Sequence, residues 1–228
     1  MDSLSKIQVK LSSSVFKSNI TALVSIYKDS EENRLKKSIE IEAEIQKWSI
    51  DNIGKPIDEM QILPEDKIED YNLYQYNFDY LLLNSLFISA FSLFEIHLKR
   101  LAKIAEKGFK SKIKLSDIKG NGEIDTIRKY LYLVHAIEEA NSNTEEWKEF
   151  LEFKAIRNSI VHHGGILNPD KKSKPETVVG FKKLEQHNIW MNPDTIYFRL
   201  KKISFLEDFK RLTIGYSDNV TTALVNGH

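Results

Sequence analysis

The sequence predicts a mainly α-helical fold: a helical bundle followed by a small carboxyl-terminal β-hairpin and a last helix. Two observations predict the bundle. Apolar residues recur at three- and four-residue steps through residues 12–163, and the segment 81–98 is apolar around most of its circumference. A third observation sets the last quarter apart, because its apolar residues fall into short β-prone runs.

The composition limits the classes of protein that this chain can belong to. It has 228 residues, enough for one large domain, and no cysteine, which excludes disulfides, thiolate zinc sites and cysteine nucleophiles. Its 33 basic and 33 acidic residues give a net charge of zero. Proteins that wrap nucleic acid with their whole surface are usually basic, so any nucleic-acid contact here must be local.

The first helix is predicted over residues 12–48, with KDSEEN (residues 28–33) as a candidate break. Residues 52–66 contain a glycine and two prolines and predict a loop. A second helical pattern runs from about Glu65 to Gly108, and its wide apolar face is typical of a central helix that is covered on several sides.

The same central segment is the one candidate for a membrane span. The run from Leu81 to Leu98 is the most apolar of the chain, but it contains Asn84, Glu95 and His97 along with three serines. This is too polar for an isolated span, and the amino terminus lacks the pattern of a secretory signal. We therefore expect no membrane association and a cytoplasmic location.

Two further helices are predicted over residues 124–137 and 145–163. Asn143 and Glu146 have the spacing of a capping box in front of the second of them, and Gly164-Gly165 are expected to end it.

Beyond this point the chain changes character. Residues 168–176 (NPDKKSKPE) predict a loop, and the runs 177–181 and 195–200 could pair as a small hairpin. Residues 204–224 predict a last helix. We therefore divide the chain into a bundle, residues 1–165, and a carboxyl-terminal hairpin and helix, residues 166–228, that packs on it.

The stretch RNSIVHHGG (residues 157–165) is the main candidate for a functional site. On a helix with about 100° per residue, Asn158 and His162 are neighbours on one flank and Arg157 lies beside them. Four apolar residues fall within about 60° of the arginine: Phe150, Phe153, Ile160 and Val161. A guanidinium on such a face needs a partner, a polar cleft or a second protein.

The alternative is an ordinary helix end. An arginine can lay its stem along apolar surface and carry its charge to water, and histidines near helix ends are common. The spacing is also weak by itself, because Arg128 and His135 have a similar one. We expect that second pair to be structural, since Lys129 rather than a short polar residue follows the arginine, and we expect His135 on an ordinary helix face.

Two features together resemble HEPN (higher eukaryotes and prokaryotes nucleotide-binding) domains. One is Arg157-Asn158 with His162 after four intervening positions, and the other is the upstream helix LFISAFSLFEIHLKRL (residues 86–101). HEPN domains are all-α, are found in many prokaryotic toxins and antiviral defence proteins, and carry an arginine, a polar residue and then a histidine after four to six positions. The resemblance covers roughly residues 72–165.

The resemblance implies a metal-independent endoribonuclease that acts as a homodimer on RNA, without a cofactor, and leaves 2′,3′-cyclic phosphate and 5′-hydroxyl ends. Arg157 would bind the phosphate, His162 would transfer the proton, and Asn158 would orient His162 or bind the phosphate. An antitoxin or another defence protein would be the expected partner. Some family toxins carry a modifiable tyrosine two positions after the histidine, where this chain has Gly164. The alternative is a non-catalytic HEPN-like module for nucleotide binding or dimerisation.

Two further residues are candidates for supporting roles. Glu95, a carboxylate on the apolar central helix, could orient Arg157 or His162, or could simply lie at a helix edge. His163 could assist the chemistry, although we favour a role in capping the helix. A metal site is not expected, because a helix places His162 and His163 about 100° apart and the chain has no HExxH pattern.

Overall fold

The structure is a computed structural model, and it describes residues 1–59, 62–170, 173–189, 192 and 196–226. In this part of the chain the α-helices are, in order, α1 (Ser3–Asn52), α2 (Glu65–Asn72), α3 (Phe78–Gly108), α4 (Glu123–His135), α5 (Glu145–His163), α6 (Phe181–Gln186) and α7 (Ile203–Asn226). A π-helical turn, Leu73–Asn77, joins α2 to α3. Short 3-10 turns lie at Ile57–Glu59, Leu115–Asp117, Glu138–Ala140 and Pro175–Thr177. The prediction of a mainly α-helical protein is confirmed.

Helix α1 is one continuous helix of 50 residues, so the candidate break at residues 28–33 is not used. The segment holds no glycine or proline, and Glu31 forms an ion pair with Arg34 one turn further on. The helix also begins earlier than predicted. The Asp2 carboxylate accepts a hydrogen bond of 2.8 Å from the Ser5 N–H, and this cap fixes the start.

Helix α3 lies at the centre of the molecule, as the wide apolar face predicts. It packs against α1, α4, α5 and α7. The core around it is built largely from phenylalanine rings. Phe87 lies with its ring centroid 5.0 Å from that of Phe205 and 5.2 Å from that of Phe209, both on α7, and 6.1 Å from that of Phe153 on α5. Such edge-to-face contacts hold the three helices together.

The continuous helical stretch Glu65–Gly108 is, among the described residues, the one segment long and apolar enough to cross a membrane. Its most apolar part includes Phe87, Phe91 and Phe94, which are almost fully buried inside the bundle. A buried core helix of this kind passes the same test of length and composition.

The predicted β-hairpin is wrong for the part of it that the structure describes. Residues 177–181 contain the end of a 3-10 turn, a turn at Val179–Gly180 and the first residue of α6. The Thr177 hydroxyl donates to the Lys174 carbonyl at 2.8 Å and closes the turn locally. Of the second run, Thr195 lies outside the described residues, and Tyr197 forms an isolated antiparallel bridge with Ile166 instead.

The predicted last helix is confirmed as α7, which packs against α1, α3 and α5. Its buried residues belong to the same hydrophobic cluster as those of α3 and α5. His97 of α3 sits inside this contact, with its ring stacked on Phe16 of α1 at 4.5 Å and its Nε2 2.7 Å from the Ser217 hydroxyl of α7. The division of the chain at residue 165 stays a prediction.

Candidate functional site

Helix α5 carries the RNSIVHHGG stretch on its last two turns, and its predicted bounds are confirmed. The predicted cap at Asn143 is wrong. Thr144 rather than Asn143 caps the helix, with its hydroxyl accepting from the Trp147 N–H at 3.3 Å. The Asn141 side chain accepts from the Asn143 N–H at 3.0 Å, so Asn143 belongs to the preceding turn.

The two glycines end α5 as predicted. Gly164 and Gly165 both have positive φ, 59° and 86°, and the Gly165 N–H donates to the Ser159 carbonyl at 3.0 Å. A side chain at Gly165 would bring its Cβ within 2.9 Å of the Phe198 carbonyl oxygen. The Phe198 N–H in turn donates to the Gly165 carbonyl at 3.0 Å, so the helix end is fixed against the segment 196–200.

Arg157 is half-buried at the contact between α5 and α3. Its guanidinium carbon lies 5.6 Å from the centre of the Phe91 ring, and its Nη1 donates to the Asn158 side-chain oxygen at 3.2 Å. Its Nε is buried and donates no hydrogen bond. No carboxylate of the described residues forms an ion pair with it, so its charge is positioned but not neutralised.

Glu95 lies close to this guanidinium without contacting it. Burial raises the pKa of the Glu95 carboxyl, and the positive charge of Arg157 acts in the opposite direction. Glu95 and Arg157 therefore share one electrostatic environment, together with Glu123 and Lys154.

The two histidines of the last turn are exposed to solvent. The rings of His162 and His163 are 6.4 Å apart and inclined by 65°, as their adjacent positions require. The buried face of the helix is formed by Trp147, Phe150, Phe153, Ile156 and Ser159, so its centre lies to one side of Arg157. Arg157 therefore lies at the border of the core, and Val161, 43% exposed, lies outside it.

Arg128 and His135 do not form a comparable site. Arg128 is 5% exposed, donates from Nη2 to Asp125 at 2.8 Å and from Nη1 to the Ala140 carbonyl at 2.9 Å. His135, the last residue of α4, is half-buried between the rings of Phe109 and Tyr130, and burial lowers its pKa. The pair is structural, as expected, although His135 ends a helix rather than lying on an open face.

A charged cluster that the sequence did not indicate lies between α5, α6 and α7. Lys183 is 4% exposed and forms ion pairs with Glu149 at 2.6 Å and Asp208 at 3.0 Å. His187 bridges Asp208 and the Ser204 hydroxyl, at 3.3 Å and 3.1 Å. These side chains line an open cleft of about 790 Å³. These residues are spread over 60 positions of the sequence, so no local sequence pattern predicts the cluster.

A second cleft lies beside the end of α5. It measures about 750 Å³, and the described residues that line it are Ile166, Asn188, Ile189, Asn192, Tyr197, Arg199, Lys201 and Lys202. Phe198, next to Tyr197, is 2% exposed and belongs to the core.

No metal site is visible in the described part of the chain, where no three histidine, aspartate or glutamate side chains lie close enough together to hold an ion. The chain has no significant match among models of protein families, curated proteins or solved structures. The similarity to HEPN domains therefore depends on the sequence features of residues 86–101 and 157–165.

Proposed function

We propose that this protein is a metal-independent endoribonuclease of the HEPN type, with Arg157, Asn158 and His162 in its active site. The observation that carries the proposal is an arginine held in place without a carboxylate. Arg34, Arg128 and Arg211 each form ion pairs with acidic side chains. Arg157 is instead positioned by an amide oxygen and an aromatic ring, which leaves its charge free for a phosphate.

The chemistry of RNA cleavage matches these groups. The 2′-hydroxyl attacks the adjacent phosphorus, the P–O5′ bond breaks, and the products carry a 2′,3′-cyclic phosphate and a 5′-hydroxyl. A base must take the 2′ proton and an acid must give one to the 5′ oxygen, while a cation stabilises the extra charge on the phosphate. Arg157 supplies that cation and His162 transfers a proton. Asn158 fixes the arginine through its side-chain oxygen.

A homodimer would complete this site. One chain offers a single His162 imidazole, exposed one turn after Arg157 on α5, whereas the reaction needs both a base and an acid. The apolar Val161 is exposed on the same turn and would be covered by a second copy. We expect a dimer by light scattering at micromolar concentration, and a monomer would contradict the composite site.

One observation favours a non-catalytic, nucleotide-binding module as the second candidate. Arg157 is half-buried and its Nε is inaccessible, so it can present only its terminal amino groups to a ligand. A module of this kind would bind nucleotides or RNA without cleaving them. It would also fit a scaffold in a toxin–antitoxin or antiviral defence system, the setting that we propose for the nuclease.

The test is cleavage of total RNA by the purified wild-type protein and by Arg157→Ala and His162→Ala, with EDTA present throughout. We expect each substitution to lower the rate by roughly 10²- to 10⁴-fold, the usual contribution of a positioned acid or base. Both variants should also abolish toxicity in cells. Mass spectrometry of the products should find cyclic phosphate ends.

His163→Ala and Arg100→Ala are the matched controls, since His163 adjoins His162 and Arg100 is an exposed arginine on α3. Both should cleave at close to the wild-type rate. Equal cleavage by the wild type, Arg157→Ala and His162→Ala would reject the assignment. Cleavage that disappears with EDTA would reject the metal-independent mechanism, and RNA binding without cleavage would favour the second candidate.

A further inference from the structure

The cleft beside the end of α5, here called the Tyr197 cleft, has the size of a small-ligand site. Its lining residues are those given above, and its volume of about 750 Å³ lies within the usual range of roughly 300–1,000 Å³ for such sites. It combines apolar walls from Ile166 and Ile189 with polar and charged groups at its rim.

The charge of the Tyr197 cleft differs from that of the chain as a whole. Arg199, Lys201 and Lys202 contribute three positive charges, and none of the described residues that line the cleft is a carboxylate. None of the three forms an ion pair with another described residue, whereas Lys17, Lys28 and other lysines on the α1 surface do. A chain without net charge thus has a locally positive concave surface, the feature that attracts phosphate.

Arg199 is held in an orientation that leaves its charge available. Its Nε donates to the Tyr197 hydroxyl at 2.9 Å, and its guanidinium carbon lies 4.5 Å from the centre of the Tyr80 ring. Both contacts use neutral groups. The terminal amino groups of Arg199 can therefore bind a phosphate, while the ring of Tyr197, which lines the cleft, can contact a base.

The backbone joins the Tyr197 cleft to the candidate active site. Ile166, three residues after His163, pairs with Tyr197 in an antiparallel bridge and lines the cleft. The Phe198 N–H and the Gly165 carbonyl, 3.0 Å apart, hold the same two segments together. An RNA strand that passes the end of α5 would therefore reach the cleft a short distance beyond His162.

We propose that the Tyr197 cleft binds a nucleotide of single-stranded RNA next to the phosphate that is cleaved. Arg199, Lys201 and Lys202 contact the backbone phosphates, and Tyr197 contacts the base. The choice of RNA as the ligand rests on the proposed function. The test does not, because binding can be measured without cleavage. The shared ligand chemistry is a phosphate with an attached base, which both RNA and a free nucleotide offer.

The experiment measures binding of a fluorescent 12-nucleotide RNA and of AMP to protein that carries His162→Ala, at two salt concentrations. In this background, Arg199→Ala, Lys201→Ala and Lys202→Ala are combined. We expect the combined variant to bind the RNA at least tenfold more weakly, with a shallower dependence on salt, since each lost phosphate contact lowers that slope by about one. Tyr197→Phe, which removes only the hydroxyl that holds Arg199, should weaken binding by a few-fold.

The matched control combines Lys10→Ala, Lys36→Ala and Lys47→Ala, three exposed lysines of α1, and should change RNA binding by less than twofold. Circular dichroism checks that all variants are folded. RNA binding that is the same in the Tyr197-cleft variant and its background, or tight binding of AMP without binding of RNA, would overturn the proposal. Loss of binding in that variant, with no cleavage by the wild type, would support the cleft and reject the nuclease.

Discussion

At the scale of single residues, the structure separates two arginines that share a similar spacing to a histidine. Arg128 is buried against Trp147 and saturated by Asp125 and a backbone carbonyl. Arg157 has an amide oxygen and the Phe91 ring, and its charge is not paired. Spacing counts positions along a helix, whereas the role of an arginine depends on the groups that other helices bring to it.

This difference predicts that the two alanine substitutions destabilise the protein to different extents. Arg128→Ala should lower the free energy of unfolding by about 3 kcal/mol, because Asp125 and the Ala140 carbonyl would lose their buried partner. Arg157→Ala should lower it by about 1 kcal/mol or less, since no carboxylate of the described residues forms an ion pair with Arg157. Urea unfolding of both variants measures this. A loss at Arg157 as large as that at Arg128 would assign Arg157 a structural role.

At the scale of elements, the end of α5 depends on a contact that only a glycine permits. Gly164 and Gly165 both have left-handed backbone conformations, but their surroundings differ. Gly164 faces open space, whereas the site of a Cβ on Gly165 is 2.9 Å from the Phe198 carbonyl oxygen. The position of the two histidines relative to the Tyr197 cleft therefore depends on Gly165.

Gly165→Ala and Gly164→Ala form a matched pair that tests this contact. Each should cost about 1 kcal/mol for the left-handed conformation. Gly165→Ala should cost about 1–3 kcal/mol more, because the Phe198 backbone must move away. Chemical denaturation gives both values. If the two variants are equally stable, the close approach of Gly165 to Phe198 is not a constraint on the fold.

Sequence alone predicts the helices of this chain better than their connections. The bounds of α5 and the central place of α3 follow from a period and an apolar face, both of which are local properties. The cap at Thr144 was missed because Asn143 has an equally suitable side chain, and only the turn at Asn141 decides between them. The hairpin was wrong because β-prone residues still need a partner, and residue 197 finds Ile166 instead.

The candidate site was predictable to a similar extent. The adjacent placement of Arg157 and Asn158 on α5 follows from helical geometry, and a role of these residues and His162 in a site stays a prediction. That Glu95 of α3 acts electrostatically on Arg157 was offered only as one of two alternatives. The absence of an ion pair on Arg157 and the positive Tyr197 cleft do not follow from helical geometry, because both arise from contacts between segments far apart in the sequence.

At the scale of the whole molecule, two buried groups with shifted pKa values respond to pH in opposite ways. Burial lowers the pKa of His97 to about 4. Burial raises the pKa of Asp79 to about 6, and the neighbouring Glu31 adds to the increase. Arg34 lies 3.0 Å from Asp79 and its charge acts to lower the Asp79 pKa, but its hydrogen bonds go to Glu31 and the Tyr74 carbonyl, so burial and Glu31 have the larger effect.

The signs of these shifts predict the pH dependence of stability. A histidine in the unfolded chain binds a proton near pH 6.5. The contribution of neutral His97 to the free energy of unfolding is therefore lost as pH falls from about 6.5 towards 4. The contribution of Asp79 is present below the unfolded pKa of about 3.9 and is lost as pH rises through 6. Between pH 4 and 6 the two residues therefore change the free energy of unfolding in opposite directions as pH falls. Removing Asp79 should therefore expose the loss of stability that His97 causes.

Urea unfolding of the wild type, Asp79→Asn and His97→Gln across this range is the measurement. Between pH 6.5 and 4, Asp79→Asn should lose more stability than the wild type, by on the order of 1 kcal/mol, and His97→Gln should lose less. Carboxylates elsewhere affect all three proteins alike. Parallel pH profiles for the three would show that neither residue titrates in this range.

The position of α7 also has a consequence for biosynthesis. Phe205 and Phe209 cover the rings of Phe87 and Phe153. Both belong to α7, the last helix of the described chain. A ribosome delivers the chain from its amino terminus, so α3 and α5 are made while their shared apolar face is still uncovered. We therefore expect the surfaces that hold Arg157 and His162 to pack only after α7 has emerged, and a nascent chain that ends before α7 carries the candidate site residues without the packing that positions them.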